Sequence, residues 1–453
     1  MFSLPKLPKI RFSRIALCAL FFCCVLVIAQ TVSLVGRVQN GGTDFSVFYN
    51  TAKLLQGGAG AEIYSRTDAE TGWLITIPPF GQALMQPLAW FSPTVAAVLW
   101  GIFNLVLLLA SLLALRSFLG RMDRQQRLYA RAFPWMAVLL LFLAAGSLQV
   151  GQWSVFFTAC WIFFLNEASK RRDDLAGCLL AVPAAIKLYP LLLLAIPAFV
   201  GKSRQIIGLI AGLVFCFVLP ILFYGARTAP LTTTFFQDVI LNPQGRVAES
   251  QTARSTANQG LDAVMLRTLS YDAKFHGRNY PHYPHLSLDR DVVISLAGKV
   301  RLALLALTLG VAWHWRRTMA TRRKVQSLYM TLQMAALWCS TLYLLLPGAK
   351  ARYAVYVFLG FLPLLAAIVA ARRRFEYSKS VVLGVFVVVC VLFVSSSVPE
   401  LWRAYNAGFI GAGMLWCANL GGLLHQAAQA RKMQTHRLRF VATRQSAGTR
   451  ASS

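Results

Sequence analysis

Residues able to do acid–base and phosphate chemistry stand at two distant places in the chain. Asp44 follows closely after two adjacent glycines. A carboxylate there can accept the proton of a hydroxyl group, or it can only cap a helix that begins there, as Thr43 also can. Lys350 and Arg352 are followed by Tyr353. The two cations and the phenol can hold a phosphate while charge develops on it, or the cations can simply extend to the surface.

Four other polar residues lie between these two places. Lys187 stands at the end of an apolar stretch, where it can contact phosphate or reach toward water. Asn258 and Gln259 carry amide groups that can bind ligand hydroxyls or pack within a loop. Gln152 lies between two apolar stretches, and a polar contact between helices is its simpler interpretation.

One polar segment is rich in histidine and tyrosine and also contains an arginine. These residues are His276, Arg278, Tyr280, His282, Tyr283 and His285. The histidines suggest a metal site, but the intervening prolines extend the chain and no acidic ligand has a fixed spacing. These residues can instead contact a substrate, or they can form a solvated loop. We predict no metal.

The composition restricts the class of protein that can hold these residues. The chain has 453 residues, of which 57% are hydrophobic and 13% charged, with a mean hydropathy of +0.57. A soluble domain carries about twice that share of charge. Long apolar runs alternate with short basic clusters, which excludes a soluble enzyme, a disordered chain and a disulfide scaffold. The sequence therefore predicts a polytopic, all-α integral membrane protein.

Apolar runs of roughly 17–25 residues predict about twelve membrane spans. They lie near residues 15–35, 87–115, 133–149, 153–166, 175–187, 188–200, 205–224, 291–314, 326–346, 353–371, 380–395 and 408–424. Basic residues are concentrated in alternate loops, so the positive-inside rule predicts that both termini are cytoplasmic. The net charge of +29 then reflects topology and contact with membrane lipids, and no nucleic-acid partner is expected.

This topology predicts one polytopic membrane domain over residues 1–425, with long outer loops at 36–86 and 225–290. A basic cytoplasmic tail follows at 426–453. Apolar positions from Phe45 to Leu55 follow helical spacing until Gly57, which predicts a short amphipathic helix at the outer membrane interface. The candidate residues therefore gather at the outer face.

Several short motifs, taken in order, resemble glycosyltransferase family 87, which belongs to the GT-C class of membrane enzymes. They are Asp44-Phe45-Ser46-Val47-Phe48-Tyr49, Gly57, Ile63-Tyr64, Pro78-Pro79, Gln86-Pro87-Leu88, Gly151-Gln152-Trp153-Ser154, Lys187-Leu188-Tyr189-Pro190 and Asn258-Gln259-Gly260-Leu261. The resemblance implies a GT-C-like fold, a polyprenyl-phosphate sugar donor and a catalytic acid at Asp44. Where the family carries a histidine, this chain has Lys350 and Arg352.

The predicted activity is an inverting transfer of a hexose, most simply mannose, from a polyprenyl-phosphate carrier to a glycolipid or glycan acceptor. Phosphate would be held by Lys350, Arg352, Tyr353, Lys187 and Arg278, and the acceptor or its sugar by Asn258, Gln259, Tyr280, Tyr283 and His282. We predict no cofactor, since arginine and lysine can stabilise the leaving phosphate. The expected location is the inner cell membrane, with the active site on the outer, periplasmic face.

The alternative function is a transporter or flippase for a lipid-linked sugar. Transporters usually place ionisable residues within their spans, whereas the sixteen acidic residues here fall in loops or at span ends. The sequence therefore favours the enzyme.

The predicted topology can be tested with reporter fusions. Fusions after Arg172, Arg323 and Arg374 should report the cytoplasm, and a fusion near Gln251 should report the outer side, because basic loops stay inside. A signal from the outer side after Arg323 would contradict the twelve-span topology and move the candidate site to the wrong face.

Overall fold

The fold comes from a computed structural model that describes most of the chain. The described residues are 13–40, 42–126, 129–241, 258–272, 275–276, 280, 282–319, 326–346, 349–370, 385–392 and 405–451. All regular secondary structure in these segments is helical, and three isolated β-bridges join loops. The prediction of an all-α protein is confirmed.

The described residues of the first half form nine α-helices. They are α1 (Arg14–Gln39), α2 (Asp44–Gln56), α3 (Pro79–Met85), α4 (Pro93–Gln126), α5 (Tyr129–Leu148), α6 (Ser154–Ser169), α7 (Asp173–Ile186), α8 (Ala195–Val200) and α9 (Ser203–Tyr224). Short 3₁₀ helices at Ala61–Ser65, Gln86–Trp90, Tyr189–Leu194 and Gly225–Arg227 connect some of them. The helix predicted from Phe45 is present as α2, and Gly57 ends it.

The second half begins with α10 (Thr228–Thr234) and a π-helix (Phe235–Leu241). It continues with α11 (Leu261–Leu269), α12 (Arg290–Met319), α13 (Gln326–Leu345), a 3₁₀ helix (Ala351–Gly360), α14 (Phe361–Ala370) and the long α15 (Ala407–Ala451). Residues 385–392 are also helical.

Among the described residues, six helices are long and apolar enough to cross a membrane, which makes the chain an integral membrane protein. They cover Arg14–Gln39, Pro93–Met122, Ser203–Leu241, Arg290–Met319, Leu328–Leu345 and Ala407–Lys432. The same part of the chain also contains four shorter apolar helices. The predicted span at 188–200 is divided between a 3₁₀ helix and α8, and part of the span at 380–395 lies outside the described residues. The twelve-span topology and the interfacial position of α2 thus stay predictions.

Helices α7 and α9 pack with their backbones in contact, because glycines occupy the interface. A Cβ atom built on Gly177 would overlap the carbonyl oxygen of Gln205, and one on Gly208 would overlap that of Asp174. A Cβ on Gly212 would lie 2.9 Å from Cα of Cys178. This pair matters to the site because α7 ends at Ile186, directly before Lys187.

Replacing Gly208 with alanine should separate α7 from α9. The added methyl group meets backbone that cannot yield, and overpacking of this kind typically costs about 1–3 kcal/mol. Thermal unfolding in detergent should therefore show a lower melting temperature for Gly208→Ala. Gly310→Ala on α12 is the matched control, since a Cβ there meets nothing within 4 Å. Equal melting temperatures for the two variants would contradict the close packing.

Candidate functional site

Asp44 is the first residue of α2, and its neighbour caps the helix. The Thr43 hydroxyl oxygen accepts a hydrogen bond from the Ser46 backbone N–H at 3.0 Å. The interpretation of Asp44 as the cap is therefore wrong, because the threonine already satisfies the free N–H of the first turn. The Asp44 carboxylate is left for other contacts, and the positive end of the helix dipole favours its charge.

The carboxylate of Asp44 instead forms an ion pair with the guanidinium of Arg352. The two Arg352 terminal nitrogens lie 2.9 Å and 3.2 Å from the two carboxylate oxygens. The side chains are only 12% and 17% exposed for Asp44 and Arg352, respectively. One of the two contacts is a hydrogen bond, from Nη2 of Arg352 to Oδ1 of Asp44, and the other is an ion-pair contact only. A charge-assisted hydrogen bond with little solvent contact is strong. The interpretation of Arg352 as a surface cation is therefore wrong.

The turn between α5 and α6 brings these two residues together. The Phe45 backbone N–H donates to the carbonyl of Val150 at 3.1 Å. Gly151 has φ +68°, and a Cβ there would lie 2.5 Å from Cβ of Phe45, so no larger residue fits. On the opposite side, the Ser147 hydroxyl donates to the Arg352 carbonyl. One turn thus contacts the start of α2 and the segment that carries Arg352.

A lysine and three tyrosines lie next to the ion pair. The Lys187 ammonium is 5.5 Å from the ring centre of Tyr353 and 5.7 Å from that of Tyr189, within the range of cation–π contacts. The Tyr189 and Tyr356 hydroxyls lie 2.5 Å apart, and Ser154 donates to Tyr356 at 3.0 Å. Lys187 is half-buried, so it does not simply extend into water.

Asp44 and Arg352 both lie near enough to Lys187 to interact with its charge. The Gln152 amide donates to the Tyr353 hydroxyl at 3.4 Å, so Gln152, which the sequence suggested only as a polar contact between helices, contacts a predicted phosphate ligand. We call Asp44, Lys187, Arg352 and Tyr353 the Asp44 site. It combines one carboxylate, two cations and a phenol, which can hold an anion beside a proton acceptor.

Lys350 lies beside the loop that carries Asn258 and Gln259. Asn258 forms an isolated antiparallel bridge with Lys350, and the Gln259 N–H donates to the carbonyl of Ala349. The Asn258 side-chain oxygen accepts from the Gly260 N–H at 2.9 Å, as loop packing predicts. The Lys350 ammonium is 5.7 Å from the ring centre of Trp73. A sugar-binding role for the two amides stays a prediction.

The predicted aromatic segment packs mainly as a cluster of its own. Tyr283 is buried beside Phe275, and its hydroxyl accepts from Asn406 at 2.9 Å. Asn406 also accepts from the fully buried Arg267, at 2.6 Å and 3.0 Å. Burial lowers the pKa of Arg267 to about 10, so it stays charged at neutral pH.

The solvated-loop interpretation is therefore wrong for Tyr283, and also for His276, which is buried with its Nε2 2.8 Å from the carbonyl of Arg267. The solvated-loop interpretation agrees with the exposed position of His282. Tyr280 is half-buried against the ring of Phe275, and Arg278 lies outside the described residues. In the part of the chain that the structure describes, no three His, Cys, Asp or Glu side chains are grouped as metal ligands would be.

Sequence reasoning missed Tyr189, Tyr356 and Trp73. Tyr189 lies within a quoted motif, two residues after Lys187, and that proximity was the available signal. Tyr356 lies three residues after Tyr353. In a 3₁₀ helix residues three apart are on one face, and these two rings stack with centres 5.6 Å apart.

The helices and the Asp44 site define a polytopic membrane protein that holds a carboxylate beside cations in a partly buried site. The family model described as glycosyltransferase family 87 matches residues 76–341, more than half of the chain. The chain belongs to this family and is a membrane glycosyltransferase, which disfavours the transporter alternative. No curated protein and no solved structure matches it. Lys187 falls within the matched range, whereas Asp44 and Arg352 fall outside it.

Proposed function

We propose that this chain is an inverting glycosyltransferase. It moves a hexose, most simply mannose, from a polyprenyl-phosphate carrier to a glycolipid or glycan acceptor. The reaction takes place at the outer face of the inner membrane, with both termini in the cytoplasm and a GT-C-like arrangement of helices. The observation that carries the proposal is the ion pair of Asp44 with Arg352, because a potential base there lies beside a potential phosphate ligand.

In the proposed reaction the acceptor hydroxyl oxygen attacks the anomeric carbon of the donor. Asp44 takes the hydroxyl proton, and the bond between the anomeric carbon and the phosphate oxygen breaks. The electron pair of that bond leaves with the polyprenyl phosphate, and Arg352 and Lys187 stabilise the charge.

Arg352 can bind phosphate without releasing Asp44. A guanidinium carries five N–H donors in one plane, and the two terminal nitrogens face the carboxylate. The Nε atom is buried and has no hydrogen-bond partner among the described residues. An unsatisfied buried donor costs about 1–3 kcal/mol, and a phosphate oxygen would remove that cost. Arg352 then connects the base and the leaving group.

The remaining candidates are proposed to complete the donor and acceptor sites. Tyr353 donates its hydroxyl toward the phosphate, and Lys350 lies at the edge of the site beside Trp73. Asn258 and Gln259, with the outer-loop residues Tyr280, His282 and Tyr283, are assigned to the acceptor side. Arg278 stays a proposed phosphate ligand.

Asp44→Asn should abolish transfer while leaving α2 intact. Asparagine cannot take a proton, and general-base catalysis contributes about 100- to 10,000-fold. Transfer of mannose from a radiolabelled polyprenyl-phosphate donor in detergent should fall by about that factor. Donor binding should remain, since the removed negative charge repels phosphate.

Thr43→Ala is the matched control because it removes the cap and keeps the carboxylate. It should lower the melting temperature, since a lost cap costs about 0.5–2 kcal/mol, and it should retain transfer. If Asp44→Asn transfers sugar at the wild-type rate, Asp44 is not the base. If the wild-type protein transfers no sugar from this donor, the proposed donor is wrong.

A further inference from the structure

A short loop between α2 and α3 carries Trp73, a residue that the proposed reaction does not use. Thr67 and Leu74 close the loop with an isolated antiparallel bridge. The Asp68 N–H donates to the Trp73 carbonyl at 2.8 Å, and the Trp73 N–H donates to the Thr71 hydroxyl at 3.2 Å. We call residues 67–74 the Trp73 loop. Both polar backbone groups of Trp73 are bonded within it, so the backbone that carries the indole is fixed.

The Asp68 carboxylate stabilises the Trp73 loop and connects it to α2. One carboxylate oxygen accepts from the Thr71 N–H at 2.8 Å and from the Thr71 hydroxyl at 2.7 Å. The other accepts from the Asn50 amide at 2.9 Å, and Asn50 lies on the helix that begins at Asp44. Asp68 is buried, so water competes little for these hydrogen bonds. The position of Trp73 is therefore fixed relative to the helix that carries the proposed base.

Lys350 is fixed at its backbone and at its ammonium group. Its backbone pairs with Asn258, and its carbonyl accepts from the Tyr343 hydroxyl at 3.4 Å. Its ammonium lies 5.7 Å from the ring centre of Trp73. The face of an indole ring attracts a cation through the ring quadrupole. Because the ring has no formal charge, it can position the ammonium without neutralising it, which a carboxylate would do.

The other ionic contacts leave two lysines with their charge uncompensated. Arg352 is paired with Asp44, so the formal charges of these two residues cancel. Among the ion pairs formed by described residues, none includes Lys187 or Lys350. Lys350 is two residues before Arg352, and the two lysines together contribute a formal charge of +2. An anion with two negative charges matches them better than an anion with one.

The proposed reaction produces such a change of charge on the phosphate. The donor is a phosphodiester with one negative charge. When the bond between the anomeric carbon and the phosphate oxygen breaks, the leaving group is a phosphate monoester, which carries close to two charges at neutral pH because its second pKa is about 6. An interaction that strengthens as this charge develops accelerates the chemical step, whereas one that binds donor and leaving group equally does not.

We propose that Trp73 is a positioning residue that fixes Lys350 as the second uncompensated cation, so that the site binds the leaving phosphate better than the donor. Lys187 balances the single charge of the donor, and Lys350 acts on the charge that appears as the bond breaks. The catalytic meaning of this arrangement rests on the proposed function. The preference for a phosphate monoester over a phosphodiester is a binding property and can be measured without catalysis.

Equilibrium binding of two ligands tests the proposal. Farnesyl phosphate carries the monoester charge and farnesyl methyl phosphate the diester charge, and each is titrated into the purified full-length protein in detergent at neutral pH. The selectivity ratio is Kd for the diester divided by Kd for the monoester. We expect a ratio above one in the wild type, and a fall of about tenfold in Lys350→Met, equivalent to ~1.4 kcal/mol.

The same ratio isolates the contribution of Trp73. Trp73→Leu should lower it about threefold, because an ammonium released from the ring is beside the phosphate less often. Trp73→Phe should restore most of the ratio, since a phenyl face also attracts cations. In the Lys350→Met background Trp73→Leu should cause no further fall, because a positioning residue acts only through the group that it positions.

Trp313→Leu is the matched control. The Trp313 ring lies 5.8 Å from the Arg316 guanidinium on α12, so the substitution removes the same kind of contact, and neither residue belongs to the Asp44 site. The selectivity ratio of this variant should equal that of the wild type.

Three results would overturn the proposal. The first is a wild-type protein that binds the two ligands equally well. The second is a ratio that falls in Lys350→Met but not in Trp73→Leu, because Trp73 would then not position the lysine. The third is a Trp73→Leu variant that loses affinity for both ligands by the same factor, since a merely structural role would have that effect.

The proposed function can fail separately from this inference. If the ratios change as expected but the wild type transfers no sugar from a polyprenyl-phosphate donor, the phosphate site stands and the proposed reaction is wrong. If transfer proceeds while the ratio is the same in all variants, the reaction stands and the role of Trp73 is wrong.

Discussion

The ion pair between Asp44 and Arg352 is the contact on which the geometry of the site depends. Its two residues are 308 positions apart, and each charge is only slightly exposed. An isolated charge in such a position is costly, and a partner with matching geometry offsets the cost. Each residue therefore fixes the other, so the first turn of α2 and the segment before α14 must meet at one point.

Small residues and short helices make that meeting possible. Gly151 lets the turn after α5 touch Phe45, and Ser147 holds the backbone of Arg352 from the same turn. Helix α7 has 14 residues, too few to cross a membrane. Lys187 therefore follows a helix that ends early, beside Tyr353 and not at a distant surface.

Local features of this fold could be predicted from the sequence, and long-range contacts could not. Helical spacing after Asp44 and the stop at Gly57 correctly predicted α2, because both signals are local. The cap was ambiguous between Thr43 and Asp44, since either side chain can accept the same hydrogen bond. The pairing with Arg352 has no local signal, because no spacing rule connects residues on separate helices. Tyr356 was missed because the contacts that join it to the site come from Ser154 and Tyr189, which are distant in sequence.

The claim that Asp44 and Arg352 act as one unit is tested most directly by a double-mutant cycle. The transfer rate at saturating donor is measured for the wild type, Asp44→Asn, Arg352→Gln and the double variant. Residues that act together lose their effects non-additively. The double variant should thus be about as slow as the slower single variant. A double variant whose loss equals the product of the two single losses would contradict the claim, because the two residues would then act independently.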